Sequence, residues 1–221
     1  MKIKNYVRVC SRSLLLLGVV FAVSTQAEDS LSPHQTVGNA SDQLLNLIQK
    51  TKALDTVDDS VFFSEVTAVL DPFVDFTAIA RSVMAVHYKR ASDEQREKFS
   101  TAFKGGLVRA YSKALLQFGD GGVNVLAPTS APRNPKRPTV KMEILSEAGK
   151  IYPVSYSMAQ SDDGHWRMRN VIINGLNIGL TFRNQFSASM KAKKNDLDAV
   201  ITGWSKLVES EATQSTENSQ S

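Results

Sequence analysis

The sequence predicts an α+β fold in which helices come first, a curved antiparallel sheet follows, and further helices close the chain. Three observations predict it. Apolar residues recur every three to four positions from Ser41 to Phe118, the period drops to two between Val123 and Ile173, and it returns to helical spacing after Gly179.

The elements follow in order. Residues 28–40 are polar with one proline and read as a flexible lead-in. Leu44, Leu45, Leu47 and Ile48 form the first helical stripe, and Val61, Phe62, Val66, Val69 and Leu70 the second. Asp71-Pro72 then restarts the chain, with Asp71 as a cap and Phe73, Phe76, Ile79, Ala80, Val83 and Met84 facing inward up to His87. Ser92-Asp93-Glu94-Gln95 has capping-box spacing and opens the longest helix. Its stripe is Phe99, Phe103, Leu107, Ala110, Tyr111, Ala114, Leu115 and Phe118, ended by the glycine-rich run Gly119 to Gly122.

Residues 123–126, 140–145, 151–158 and 166–173 are rich in β-branched and aromatic residues and read as strands. Asp163-Gly164 supplies a tight turn before Trp166. Four of the seven prolines fall between Pro128 and Pro138, which marks a stiff loop unable to join a ladder. Residues 179–190 and 196–208 read as the closing helices, the second capped by Asn195, and 209–221 as a disordered polar tail. One domain over 41–208 results.

Residues 1–27 have a basic start, an apolar core from Leu14 to Val23 and the small-residue ending Thr25-Gln26-Ala27, the pattern of a cleaved export signal. Ten apolar residues fall well short of the roughly 20 that cross a bilayer. The only cysteine, Cys10, lies in this segment, so a processed chain has no thiol, which suits the periplasm and excludes disulfides and cysteine metal sites. The formal charge of +4 is also confined there, in Lys2, Lys4, Arg8 and Arg12. The body is neutral, and nucleic-acid binding loses its electrostatic basis. Two short basic groups remain, Arg133 with Lys136 and Arg137, and Lys191 with Lys193 and Lys194; each is read as a solvated loop or helix end, or as a contact for anionic headgroups or an acidic partner.

No catalytic constellation emerges. His34, His87 and His165 have no metal-ligand spacing, and nucleophile-elbow, Walker and dinucleotide motifs are missing. Asp71 and Asp75 read as helix caps, or as a carboxylate pair on one helical face, and Asp162 with Asp163 as turn residues. The apolar inventory is richer. The long-helix stripe facing Tyr152, Val154, Tyr156 and Met158 either fills a core or lines a cavity, and spacing does not separate the two.

The run Leu70-Asp71-Pro72-Phe73-Val74-Asp75-Phe76, then Ala80-Arg81-Ser82-Val83-Met84, then Ala91-Ser92 with Gln95-Arg96, Phe99 and Phe103, resembles the MlaC family of periplasmic phospholipid-binding proteins, also called toluene-tolerance auxiliary components. Tyr152-Pro153-Val154-Ser155-Tyr156, Trp166-Arg167-Met168-Arg169, Gly175-Leu176 and Phe182-Arg183-Asn184-Gln185-Phe186 resemble its second signature. The chain departs from the pattern at Ala85, in place of glycine, and at Asn170, Asn174 and Asn177, in place of acids and a hydroxyl.

The resemblance implies a nuclear-transport-factor-like sheet and helices enclosing an apolar cavity. It implies a monomeric, non-enzymatic carrier with phospholipid as cargo and no cofactor or metal. Its partners would be an inner-membrane ABC transporter complex and an outer-membrane lipoprotein–porin complex, between which it would shuttle lipid to maintain outer-membrane asymmetry. The residues expected to hold lipid are Phe73, Phe76, Ile79, Val83, Met84, Phe103, Leu107, Tyr111, Leu115, Val154, Tyr156, Met158, Trp166, Val171 and Ile173. Two other functions compete with this one. A small periplasmic enzyme would use Asp75, Tyr111 or Tyr156 on an apolar substrate, and a protein-binding adaptor would simply fill its core.

Overall fold

Ser32 begins a helix where composition suggests a flexible lead-in. Its hydroxyl accepts from Gln35 N–H at 3.3 Å while Gln35 Oε1 accepts from Ser32 N–H at 2.8 Å, a reciprocal cap, and Pro33 occupies the first helical position. Helix α1 (Pro33–Lys52) therefore absorbs 33–40, correcting the expected lead-in. The computed structural model describes residues 31–118, 122–146 and 149–220, so the expected leader lies outside the described residues.

Asp58 caps α2 (Asp59–Leu70) through Ser60 and Val61 N–H. The next helix is shorter than expected. Asp71 ends α2 and pairs with Lys104; Asp75, at 2.9 Å from Ala78 N–H, caps α3 (Phe76–Met84), and a short 3-10 turn (Ala85–His87) follows. The cap shifts because Phe73 and Asp75 are first engaged by the sheet: Met168 N–H donates to Phe73 O at 2.8 Å and Asp75 N–H to Met168 O at 3.0 Å. The expected capping box opens α4 (Asp93–Phe118), with Ser92 and Gln95 exchanging bonds at 3.1 Å.

Among the described residues five antiparallel strands follow in sequence order: β1 (Val123–Val125), β2 (Thr139–Leu145), β3 (Ile151–Gln160), β4 (Trp166–Ile173) and β5 (Leu176–Asn177). The proline loop connects β1 to β2, and Gly164, at φ 82°, turns β3 into β4. The register holds one irregularity. Ser157 faces Asn170 but Met158 faces Met168, so Arg169 is an extra residue and the inward parity of β4 switches there. Trp166 and Met168 on one side of the bulge, and Val171 on the other, thereby reach the same core.

Helices α5 (Ile178–Ala192) and α6 (Leu197–Gln220) close the chain. Asp196 caps α6 through Ala199 N–H at 3.0 Å, in place of Asn195. Asn195 instead sits with Lys194 in left-handed backbone and bonds back to Met190 O at 2.7 Å, the reversal that ends α5. The backbone of α6 continues through the segment expected as a disordered tail. Extending a formed helix needs no new nucleus, and Glu, Ala and Gln propagate it well.

Among the described residues two apolar clusters result. The larger joins α3, the sheet and helices α4 to α6; the smaller packs Leu47 of α1 and Phe62 and Val66 of α2 on Val108 of α4.

Candidate functional site

The larger cluster has two chemically different halves. On the sheet side, opposed residues of an antiparallel pair share a face, so Val140, Met142, Val154 and Met158 project together toward the helices, all buried. Phe73 meets Tyr156 edge-on at 5.8 Å. On the helical side five aromatic rings interlock: Phe99 stacks on Phe103 at 5.9 Å, Phe182 meets Phe103 at 5.5 Å and 90°, and Phe186 and Trp204 close on Phe99 at 4.9 and 5.2 Å. Edge-to-face rings add to plain area burial and stiffen this half.

The expected lipid-binding residues divide accordingly. Phe73, Phe76, Ile79, Val83, Met84, Phe103, Val154 and Met158 are buried members of one continuous cluster. Phe103, fully enclosed by rings, fills the aromatic half. Leu107, Tyr111, Tyr156, Trp166 and Val171 are half-buried against the same cluster. Ile173 stands apart, 37% exposed at the rim, between Val154 and Leu176 in the register. The side chain of Leu115 lies outside the described residues.

Burial pushes the Tyr156 phenol up to about 12, because the charged phenolate loses its water there. It stays neutral at physiological pH and is unavailable as a base. Asp75, another of the catalytic candidates, is engaged twice, as the cap of α3 and with Arg169 at 3.0 Å.

Sequence reasoning missed a polar cleft of about 410 Å³ beside this core, lined by Asp71, Asp75, Thr77, Ser100, Thr101, Lys104, Ser161 and Arg167. Its residues come from the α2–α3 connection, α3, α4, the β3–β4 turn and β4, and no local spacing links them. Both cations are neutralised, Lys104 by Asp71 at 2.5 Å and Arg167 by Asp163 at 2.5 Å, with Asp163 held below its ordinary value by that bond. Among the described residues no group of three or more His, Cys, Asp and Glu is placed to hold a metal, and no helix is long and apolar enough to cross a membrane.

Known proteins share this sequence and architecture. A family model described as MlaC protein matches residues 38–206. Toluene tolerance protein ttg2D of Pseudomonas putida is 36% identical over 214 residues, covering 96% of this chain and 97% of its own. The intermembrane phospholipid transport system binding protein MlaC of Haemophilus influenzae is 28% identical over 105 residues, 48% of this chain and 49% of its own. A phospholipid-binding protein from Ralstonia solanacearum, solved in complex with a phospholipid, superposes with a TM-score of 0.70 over 83% of this chain and 98% of its own, at 22% identity. At that identity the likeness concerns the fold.

Proposed function

The chain belongs to the MlaC family, and from that premise we propose that it is a periplasmic phospholipid carrier. The observation that carries the reading is the continuous apolar interior between the sheet and helices α3 and α4, graded from buried Val83 and Val154 to half-buried Leu107, Tyr111, Tyr156 and Val171. Acyl chains enter where the packing is least closed, at those half-buried residues. The names of the P. putida and H. influenzae relatives and the phospholipid in the R. solanacearum protein support the same reading.

The physical need is large. Two acyl chains hold roughly 30 methylenes, and exposing them to water costs on the order of 24 kcal/mol at about 0.8 per methylene. Transfer from a bilayer to an apolar pocket costs little net. Such a carrier performs no covalent step, and the lipid is cargo, not cofactor. The two ends of the route are an outer-membrane lipoprotein–porin complex and an inner-membrane ABC transporter, and net transport between them maintains outer-leaflet asymmetry.

Native mass spectrometry of protein purified from cells tests the reading. A co-purified two-chain lipid is expected, and Leu107→Glu should remove it with the fold retained by circular dichroism, since an unpaired carboxylate is disfavoured among apolar groups. An empty wild-type chain would favour an adaptor, and a turned-over metabolite an enzyme.

A further inference from the structure

Helices α3 and α5 both leave the sheet from β4, α3 beside Met168 and α5 where Gly179 N–H donates to Asn170 Oδ1. The His87 ring, just past α3, lies 5.9 Å from Phe186 in the middle of α5, so the two helices run side by side, and the short links 88–92 and 193–196 lead from them to the starts of α4 and α6. Gln95 bonded to Asp198 at 3.1 Å brings the starts of α4 and α6 together at one pole.

Val86 occupies this pole and is 74% exposed, the most exposed of the described large apolar side chains, although Val83 and Met84 just before it are buried. The turn at Ala85, with φ 50° and ψ −119°, points it outward. Arg81, Lys89, Arg90, Lys191, Lys193 and Lys194 are exposed at the same pole and have no carboxylate partner among the described residues. The acids nearby are engaged: Asp93 with Arg96, Glu94 with Lys98, Asp198 with Gln95 and Asp196 with the start of α6, leaving Glu97. On a body that is otherwise balanced, this is a local cationic excess around one apolar tip.

We infer that this pole docks on an anionic phospholipid bilayer, with Val86 entering the headgroup boundary and Arg81, Lys89, Arg90 and the α5 lysines facing lipid phosphates. Each cation near such a surface adds modest attraction that fades within a Debye length of about 10 Å. Protein interfaces favour exposed aromatic anchors, and at this pole the Tyr88 ring is covered by Arg81 and Arg96 at 5.3 and 4.6 Å. The summed attraction is weak and reversible, as transient contact requires.

Vesicle flotation tests this. The purified protein should float with vesicles of equal phosphatidylglycerol and phosphatidylcholine, not with phosphatidylcholine alone, and added salt should release it. The double variant Lys89→Glu/Arg90→Glu should weaken binding at least about tenfold. Val86→Ser should weaken it less, and Lys136→Glu/Arg137→Glu in the proline loop should leave it unchanged. Undiminished flotation of the Lys89/Arg90 variant, equal loss in the loop variant, or no binding to phosphatidylglycerol vesicles would overturn the inference, the last pointing to an acidic protein instead. The docking surface stands apart from the cargo: protein that floats but carries no lipid removes the carrier reading and keeps this one.

Discussion

Asn170 donates from Nδ2 to Asn177 Oδ1 at 3.1 Å, and its own Oδ1 accepts from Gly179 N–H at 3.1 Å. Asn177 Oδ1 also takes Leu180 N–H at 3.0 Å, so the two amides together cap α5. Asn177→Ala should cost about 1–2 kcal/mol, the lost cap plus an unpartnered Asn170 amide. An unchanged urea midpoint would contradict it. Gly179→Ala should also destabilise, because a Cβ there would collide with Asn170 Oδ1.

Ala85 occupies a backbone region that favours glycine. Holding a Cβ there costs roughly 1–3 kcal/mol, more than the extra chain entropy glycine loses on folding. Ala85→Gly should therefore stabilise by about 1 kcal/mol, seen as a raised urea midpoint at unchanged slope. A lowered midpoint would show that the turn is not strained.

Asp75 joins α3 to the sheet by capping the helix and pairing with Arg169 at the bulge. Asp75→Ala removes both and should cost about 2 kcal/mol. Asp75→Asn keeps a capping oxygen and should cost about half as much. Equal losses in the two variants, measured by chemical denaturation, would mean that the ion pair and not the cap dominates.

Tyr156 gives an alkaline signature. Its folded value is raised above that of the unfolded chain, so its contribution to stability is complete below about pH 10 and falls away as pH rises toward 12. Tyr156→Phe should flatten stability across that window. Ultraviolet titration of the phenols checks it directly, and a Tyr156 transition near 10 would refute the burial argument.

Local chemistry made much of the fold legible. Alternation marked the four longer strands, and the Ser92–Gln95 spacing marked α4. The same spacing at Ser32–Gln35 was equally visible but masked by polar composition, which is why α1 was expected to start late. The bulge was not legible: Trp166 and Val171 have opposite parity in a regular strand, and only an extra Arg169 brings both inward. The apolar interior was legible as a set of residues. Their division between an aromatic helical half and a more open sheet half depends on α5 and α6 rings such as Phe182 and Trp204, which no local period connects to Phe103.

Helix α4 belongs to both apolar clusters, with Val108 and Leu116 turned toward α1 and α2, and Phe99 and Phe103 toward the interior. The outer helix pair is thus no appendage that frays alone. Releasing it strips one flank from the rod on which the interior is built, and the loosening spreads inward. Amide-exchange protection in α2 and in the sheet should consequently be lost in a single cooperative opening, so that damage at Phe62 shortens the lifetime of packing as far away as Val154.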